Sequence, residues 1–358
     1  MKALVLKAPG APFTLEIVPD PVAGPGEAVA CVLACGSGLT IQHYKAGRIP
    51  LAHPRIIGHE ITGEIVELGV GVTGLEAGDA VTAYYYLFCG HCRMCLANLE
   101  PLCENSGGNV GKECDGGYAE YIKLPARNFL RLPDGLDYRA HPAEIGVICD
   151  ALATPYKVNR RTRTRPGETV AVFGAGGGLG IHQIMLSKWA GARVIAVDIA
   201  AGKLDACRRA GAVEVVDATR HDVVEALRDL TGGKGVDGAV DYVSSSATLE
   251  QAVQALAVKG RMVTLGGAGK VFRVDRDGKA SLFFDAPELE IHALAIGPEG
   301  RLYVGSSPDG KVYAVDEGVG RPFYDPDDKY IWAMAFDGSG DLLVATGAEG
   351  RLHRVAET

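Results

Sequence analysis

The sequence predicts three regions: a strand-rich domain over residues 1–156, a doubly wound α/β domain over 157–268, and an all-β repeat over 269–358. Three observations support this division. Short apolar runs broken by turn residues fill the first region, strand-like and helix-like segments alternate in the second, and a period near 40 residues marks the third. A chain of 358 residues also has the length of two or three domains.

The first region is rich in short apolar runs that end in Gly, Pro or Asp. Two examples are "GEAVACVLACG" (26–36) and "HEITGEIVELGVGVTGLEAGDAVTAYYY" (59–86). Runs of this length, separated by turn residues, are typical of strands in a barrel. We therefore expect residues 1–156 to form a strand-rich, barrel-like domain.

The second region changes to a regular alternation. The segments "ETVAVFG" (168–174) and "RVIAVD" (193–198) read as buried strands, whereas "GLGIHQIMLSKWAGA" (178–192) and "AAGKLDACRRAGA" (200–212) read as helices. The alternation continues as far as "RMVTLGG" (261–267). Successive βαβ units of this kind predict a parallel sheet with helices on both faces.

The third region contains an internal repeat. The motif "GKVFRVD" (269–275) returns as "GKVYAVD" (310–316) and "GRLHRVA" (350–356). A period near 40 residues with four short strands per unit resembles the blades of a β-propeller. The nine strand-like runs of this region amount to two blades and one strand. Propellers have about four to eight blades, so this segment is not expected to close on itself.

Composition and charge limit the class of partner. The formal net charge is −8, from 36 basic and 44 acidic residues, which disfavours nucleic acid and anionic membranes. No stretch approaches the roughly 20 apolar residues that span a bilayer, and the N-terminus does not resemble a signal peptide. We therefore expect a cytoplasmic protein that acts on a small molecule and that can form a homo-oligomer.

Four of the nine cysteines are clustered in one short segment. They follow the pattern C-x2-C-x2-C-x7-C, which predicts a closed tetrahedral zinc site with a structural role. An iron–sulfur cluster or incidental thiols are the alternatives, but no second cysteine group accompanies this one. The predicted zinc ligands are Cys89, Cys92, Cys95 and Cys103.

A glycine-rich segment, "VAVFGAGGGLGIHQ" (170–183), joins a predicted strand to a predicted helix. Such a turn lets a pyrophosphate approach main-chain N–H groups and the helix N-terminus. Asp198 ends the next strand, where a carboxylate binds the adenosine ribose and favours NAD over NADP. Lys203 either reaches the same ribose or is a solvated helix lysine. A domain of this type without nucleotide is the alternative. The predicted loop residues are Gly174, Gly176, Gly177, Gly178, Leu179 and Gly180.

With these features together, residues 1–268 resemble the zinc-containing medium-chain alcohol dehydrogenases. The resemblance rests on "GHEITGEIVELGVGVTGLEAGDAV" (58–81), the cysteine cluster, "DGGYAEYI" (115–122), the glycine loop and Asp198. It implies a GroES-like barrel followed by a Rossmann domain, with NAD-linked interconversion of an alcohol and an aldehyde or ketone. The family continues with a further Rossmann strand and helix, so the Rossmann sheet here is expected to be truncated.

The resemblance also implies a catalytic zinc site, but one ligand differs. His59 and Glu60 match the family's "GHE" motif, and Asp150 falls at the position of the third ligand. The family's first ligand is a cysteine, whereas this chain has Gly38, and Ile41 replaces the aspartate that orients the site. Glu60, or Cys35, is a candidate replacement ligand. His59 is alternatively a buried, hydrogen-bonded histidine of the barrel.

Two further residues match the family's proton-relay positions, Thr40 and His43. With zinc bound, they would carry a proton between the substrate and solvent. Without zinc, Thr40 or His43 would polarise a carbonyl directly, as in zinc-free reductases of this superfamily. The alternative functions are an inactive scaffold or binding protein, and a chimeric fusion whose blades mediate association.

Overall fold

The structure is a computed structural model that describes residues 1–265, 269–275, 279–288, 290–307, 310–328, 330–347 and 350–356. It divides into two compact units, Met1–Thr154 and Pro155–Thr358. The first boundary lies two residues before the predicted one. The second predicted boundary adjoins residues 266–268, which lie outside the described residues, so it stays a prediction. No helix of the described residues is long and apolar enough to cross a membrane.

The N-terminal unit consists mainly of short strands, as predicted. A five-stranded antiparallel sheet has the order β10-β6-β5-β3-β9, and smaller sheets have the orders β2-β1-β4 and β7-β8. The strands are β1 Lys2–Leu6, β2 Phe13–Ile17, β3 Glu27–Cys35, β4 Arg55–Ile56, β5 Ile61–Leu68, β6 Ala80–Ala83, β7 Tyr86–Leu87, β8 Gly108–Asn109, β9 Tyr121–Pro125 and β10 Phe129–Arg131. The helices are α1 Leu39–Lys45, α2 Arg93–Leu96 and α3 Pro142–Gly146, with α4 Ala153–Thr162 at the boundary.

The period of two along the strands builds the core of this unit. Ile61 and Ile65 on β5, and Ile122 and Leu124 on β9, are each at most 2% exposed. Residues separated by an even number of positions point to the same face of a sheet, so these four side chains meet in one apolar cluster. The cluster supports the start of β5, which directly follows the candidate ligands His59 and Glu60.

The C-terminal unit begins with a parallel sheet of order β13-β12-β11-β14-β15. Residues 170–173 of β11 and 194–197 of β12 are buried without alternation, because helices cover both faces of the sheet. The predicted doubly wound domain is therefore present. Its elements are β11 Thr169–Phe173, α5 Gly178–Trp189, β12 Arg193–Asp198, α6 Ala201–Ala210, β13 Glu214–Asp217, α7 Val223–Leu230, β14 Val236–Asp241, α8 Ser246–Gln254 and β15 Leu256–Thr264.

The order in which the chain adds parallel strands to this sheet reverses at the β11–β14 pair. From β11 the chain builds outward through β12 and β13, and it then returns to place β14 on the other side of β11. Ligands of open parallel sheets bind beyond the carboxyl ends of the strands at such a switch point. The glycine loop follows β11 directly and so occupies this position.

All nine strands predicted for the repeat are present, in three separate antiparallel sheets. The sheets have the orders β16-β17, β18-β19-β20-β21 and β22-β23-β24. None of the sheets seen in the described residues is closed, so a propeller is not established. The strands are β16 Lys270–Val274, β17 Ala280–Asp285, β18 Glu290–Ile296, β19 Leu302–Ser307, β20 Val312–Asp316, β21 Val319–Tyr324, β22 Tyr330–Phe336, β23 Leu342–Gly347 and β24 Leu352–Val355.

The open edge of the parallel sheet is not extended by the repeat. Within the described residues β15 pairs only with β14, and the first repeat strand, β16, pairs with β17. The repeat strands therefore do not complete the truncated sheet within this part of the chain. The antiparallel hairpin at β16 and β17 satisfies its own hydrogen bonds instead.

The sequence period of the repeat corresponds to a repeated pair of polar contacts. Tyr313 donates a hydrogen bond of 2.7 Å from its hydroxyl to Oε1 of the buried Glu288. In the next sheet, Oδ2 of Asp328 accepts a hydrogen bond of 2.6 Å from Thr346 and lies 3.5 Å from Nε2 of His353. In each sheet, an acid that precedes the first strand contacts the third strand. These contacts fix the strand register of the repeat.

A buried polar network stabilises the α/β domain. Gln183 on α5 donates from Nε2 to Oγ of Ser187 at 2.8 Å and to Oδ1 of Asn159 at 3.4 Å. The hydroxyl of Tyr242 donates to Oε1 of Gln183 at 2.8 Å. The network joins α4, α5 and the end of β14, and Gln183 is completely buried. Ser187 also donates to Oδ1 of Asn159 at 3.3 Å, whereas the Tyr242 hydroxyl has Gln183 as its acceptor.

We expect Gln183→Ala to lower the free energy of unfolding by about 2–3 kcal/mol, because it removes a completely buried side chain and leaves the Tyr242 hydroxyl without its hydrogen-bond acceptor. Urea unfolding followed by tryptophan fluorescence measures the effect, since Trp189 lies on the same helix. Gln42→Ala, at an exposed position of α1, is the matched control and should change little. Equal effects of the two substitutions would contradict a stabilising role for the network.

Candidate nucleotide and metal sites

The glycine loop has the geometry that a dinucleotide requires. Gly174 has a φ of +67°, and a Cβ on Gly180 would lie 2.3 Å from the carbonyl oxygen of Gly174. The turn and the close approach of α5 to β11 both exclude larger residues here. Helix α5 starts at Gly178 without a side-chain cap, so its first N–H groups are not occupied by a capping side chain. Those groups and the helix dipole favour an anion.

Asp198 and Lys203 lie against this loop. Oδ2 of Asp198 accepts a hydrogen bond of 2.8 Å from the amide of Gly176, and Oδ1 accepts one of 2.8 Å from Ala200. A Cβ on Gly176 would lie 2.6 Å from Cβ of Lys203. The structure thus brings the loop, the carboxylate and the lysine together beside the switch point.

The four predicted zinc ligands form a compact cluster. All four sulfur atoms lie within 4.8 Å of one another, and Sγ of Cys92 is 3.4 Å from Cys95 and 3.9 Å from Cys103. Sulfur ligands at 2.3 Å around a tetrahedral zinc would be about 3.8 Å apart, so the cluster fits this ion. The cluster also forms the interior of its own loop, with Phe88 and Met94 packed against it.

Main-chain N–H groups prepare this cluster for a cation. A hydrogen bond from the main chain of His91 is the largest effect that lowers the pKa of Cys89, to about 6, and the amide of Cys92 acts in the same direction. The amide of Cys95 lowers the pKa of Cys92, whereas desolvation raises that of Cys95. Neighbouring thiols cannot all ionise without a compensating positive charge, and a bound metal supplies it.

His59, Glu60 and Asp150 meet in a second polar group in the N-terminal unit. His59 is 3% exposed, and its Nε2 lies 2.9 Å from Oδ2 of Asp150. Oε1 of Glu60 accepts a hydrogen bond of 3.3 Å from the amide of Ala151. Burial, together with the charge of Asp150, raises the pKa of Glu60. The turn Val147–Cys149 and the start of α4 hold Asp150 opposite the end of the "GHE" segment.

This second group does not meet the requirement for a catalytic zinc. Such sites use about three protein donors and an open position. His59 and Asp150 supply two donors, and within the part of the chain that the structure describes only the cysteine cluster brings three or more donor atoms within 4.8 Å of one another. A Cβ on Gly38 would contact only Oε2 of Glu60, at 3.8 Å, so the place of the missing thiolate is open space.

Cys35 does not replace the missing ligand in this arrangement. It is the last residue of strand β3 and lies before helix α1, which starts at Leu39. Its sulfur lies against the main chain, 2.7 Å from the position of a Cβ on Gly58 and 3.0 Å from that of a Cβ on Gly117. Burial raises the pKa of Cys35 to about 12, so its thiol is neutral.

The two predicted relay residues lie on α1. Thr40 and His43 are half-buried, and Nδ1 of His43 is 3.5 Å from Nη1 of Arg48. Of the hydrogen bonds and ion pairs between described residues, none joins Thr40 or His43 to His59 or Asp150. Their role in proton transfer therefore stays a prediction.

Two tyrosines at this site were missed in the sequence. The ring of Tyr85 lies 4.5 Å from that of His59, between centroids, and its hydroxyl is 3.3 Å from that of Tyr44. Burial raises the pKa of Tyr85, which remains a neutral hydroxyl. The run "YYY" (84–86) contains no spacing that singles out its middle residue. Only the tertiary contact between Tyr44 on α1 and Tyr85, which follows β6, identifies the two tyrosines.

Comparison with known proteins agrees with the resemblance. Residues 24–134 match the alcohol dehydrogenase GroES-like domain, and residues 178–281 match the zinc-binding dehydrogenase domain. The second match extends past the predicted end at 268 and includes β16. An alcohol dehydrogenase of Geobacillus stearothermophilus is 36% identical over 269 residues, which cover 74% of this chain and 77% of that protein.

Two further relatives concern the cofactor. An NAD-dependent alcohol dehydrogenase of Sulfurisphaera tokodaii is 33% identical over 276 residues, 74% of this chain and 78% of that protein. The crystal structure of a zinc-binding dehydrogenase from Sinorhizobium meliloti bound to NADP superposes with a TM-score of 0.67 at 31% identity, covering 74% of this chain and 76% of that one. Zinc and a nicotinamide dinucleotide are cofactors of this group of enzymes. The chain belongs to the zinc-binding alcohol dehydrogenase family of medium-chain oxidoreductases.

Proposed function

We propose that this chain is an NAD(H)-dependent oxidoreductase that interconverts an alcohol and an aldehyde or ketone, with an incomplete catalytic metal site. The observation that carries the proposal is the hydrogen bond between Oδ2 of Asp198 and the amide of Gly176. It ties the carboxylate expected to read the ribose to the loop expected to bind the pyrophosphate.

In this proposal the loop N–H groups and the N-terminus of α5 bind the pyrophosphate, and Asp198 and Lys203 hold the adenosine ribose. The bound nicotinamide supplies or accepts a hydride. Thr40 donates a hydrogen bond to the substrate oxygen, and His43 exchanges the proton with solvent. Because the residues around His59 do not fit a catalytic zinc, no step is assigned to one. Carbonyl reduction is then favoured over oxidation of simple alcohols.

We expect NADH to bind at least about tenfold more tightly than NADPH, since the Asp198 carboxylate repels a 2′-phosphate. Fluorescence titration of the whole chain with each cofactor measures the ratio. Asp198→Asn should reduce the preference, whereas Asp205→Asn, at an exposed carboxylate on α6, should leave it unchanged. Failure of both cofactors to bind would remove the main support for the proposal. Equal affinities would show that Asp198 does not read the ribose.

A scaffold is the second candidate function. It is favoured by two observations, the incomplete donor set at His59 and Asp150 and the separate sheets of the repeat. In a scaffold, the repeat would mediate association of the chain with further copies. Light scattering coupled to size-exclusion chromatography tests this, because a strictly monomeric chain over a wide concentration range would argue against it.

A further inference from the structure

A concentrated basic surface stands out on this acidic chain. Lys157, Arg160 and Arg161 are exposed on α4, and together with Tyr156 they line a cleft of about 380 Å³. The four residues are called the α4 cleft below. None of its three cations forms an ion pair with an acidic side chain of the described residues. The group therefore concentrates positive charge on a chain whose net charge is −8.

The residues of the α4 cleft project from a helix whose opposite face is packed against the α/β domain. Tyr156 and Arg160, and likewise Lys157 and Arg161, are four residues apart and lie on neighbouring positions of one helix face. The opposite face is buried through Val158, and Asn159 on that face accepts the hydrogen bond from Gln183. The basic side chains therefore project from a helix that is anchored to the α/β domain, and little main-chain ordering is needed to bind an anion.

The helix dipole explains only part of this arrangement. Cations in the last turn of a helix are stabilised by the carbonyl end, which accounts for Arg160 and Arg161. Lys157 lies a turn earlier, where it adds like charge at a spacing of four residues from Arg161 and destabilises the helix by about 0.2–0.5 kcal/mol. An exposed aromatic ring beside three cations also has no role in capping. A bound anion would compensate the repulsion.

We infer that the α4 cleft binds a compact polyphosphate ligand, and specifically a nucleoside triphosphate. The guanidinium groups of Arg160 and Arg161 offer planar forks that match phosphate oxygens, and Lys157 adds a point charge. Tyr156 is 48% exposed and offers a ring face on which a base can stack. A long nucleic acid would reach beyond the cleft into the field of an acidic protein, whereas a compact anion would not. The α4 cleft shares no residue with the glycine loop.

Calorimetric titration of the full-length chain tests the inference, with inorganic tripolyphosphate and ATP as probes and NADH present to occupy the glycine loop. We expect tripolyphosphate to bind, and the double substitution Arg160→Ala with Arg161→Ala to weaken it at least about tenfold. The double substitution Arg208→Ala with Arg209→Ala is the control, because it removes the same charge from another exposed pair near a helix end. It should leave tripolyphosphate binding unchanged.

Further titrations distinguish a nucleotide from a free polyphosphate, and the α4 cleft from the glycine loop. ATP should bind more tightly than tripolyphosphate, and Tyr156→Leu should abolish that difference only. The Arg160 and Arg161 substitutions should leave NADH affinity unchanged, so failure of this inference is separable from failure of the proposed function. No binding of tripolyphosphate, or equal losses in both double variants, would overturn the inference. Tighter binding of duplex DNA than of ATP through Arg160 and Arg161 would also overturn it.

Discussion

Replacing Cys92 with serine is expected to release one zinc ion per chain and to destabilise the segment that contains the cluster. The cysteines form the interior of this segment, and only a few further apolar side chains pack against them. Structural zinc contributes about 10–16 kcal/mol in small zinc-binding peptides, so we expect a loss of more than about 3 kcal/mol in stability here. Elemental mass spectrometry and thermal unfolding measure the two effects.

Cys31→Ser is the matched control for this substitution. Cys31 is a half-buried thiol on β3 that lies outside the cluster, so its loss should leave the zinc content unchanged. Limited proteolysis adds a local readout, because cleavage between residues 89 and 103 should appear only in the Cys92 variant. A Cys92→Ser chain that retains its zinc would show that three thiolates are sufficient. A wild-type chain without zinc would contradict the assignment of the cluster.

The features that could be predicted are those that depend on residues close together in the sequence or on a regular local pattern. The four cysteines lie within 15 residues, so their spacing alone determines that they can meet around one ion. Asp198 ends a strand that is parallel to β11, and the carboxyl ends of parallel strands meet at one edge. The number of strands in the repeat was predictable for the same reason, because each unit of the repeat carries the same local sequence pattern.

The parts that could not be predicted depend on tertiary contacts. Asp150 and His59 are far apart in the sequence, and only the fold shows that Nε2 of His59 and Oδ2 of Asp150 lie 2.9 Å apart. Tyr85 reaches His59 because β6, which Tyr85 follows, pairs with β5, which His59 precedes, and no spacing in "YYY" reveals this. The α4 cleft was overlooked because the whole-chain charge of −8 conceals three local cations. An average over the chain gives no information about one helix face.

The replacement of one zinc ligand makes a gain-of-function experiment possible. Gly38 has a φ of −83° and a ψ of −178°, extended values that any residue adopts. A Cβ there meets only Oε2 of Glu60, at 3.8 Å, which is ordinary van der Waals contact. Cysteine therefore fits this position without strain. The introduced thiolate would face the carboxylate of Glu60, so a cation between them would be stabilised.

We expect Gly38→Cys to raise the zinc content from about one to about two ions per chain, since a thiolate joins His59 and Asp150 as the third donor. NAD-linked oxidation of a simple alcohol should then rise at least about tenfold, because a bound zinc lowers the pKa of the alcohol oxygen. Elemental mass spectrometry and absorbance of NADH measure the two changes. Ser37→Cys places a thiol one residue away, on an exposed side chain, and should add no zinc.

The outcomes of this pair of variants separate two accounts of the site. A second zinc in the Gly38→Cys chain alone means that the missing thiolate is the main defect and that His59 and Asp150 can part to accept an ion. A content that stays near one means that the direct bond between His59 and Asp150 is too stable to open. A wild-type content near two would show that Glu60 already completes the site, and the proposal of an incomplete metal site would then be wrong.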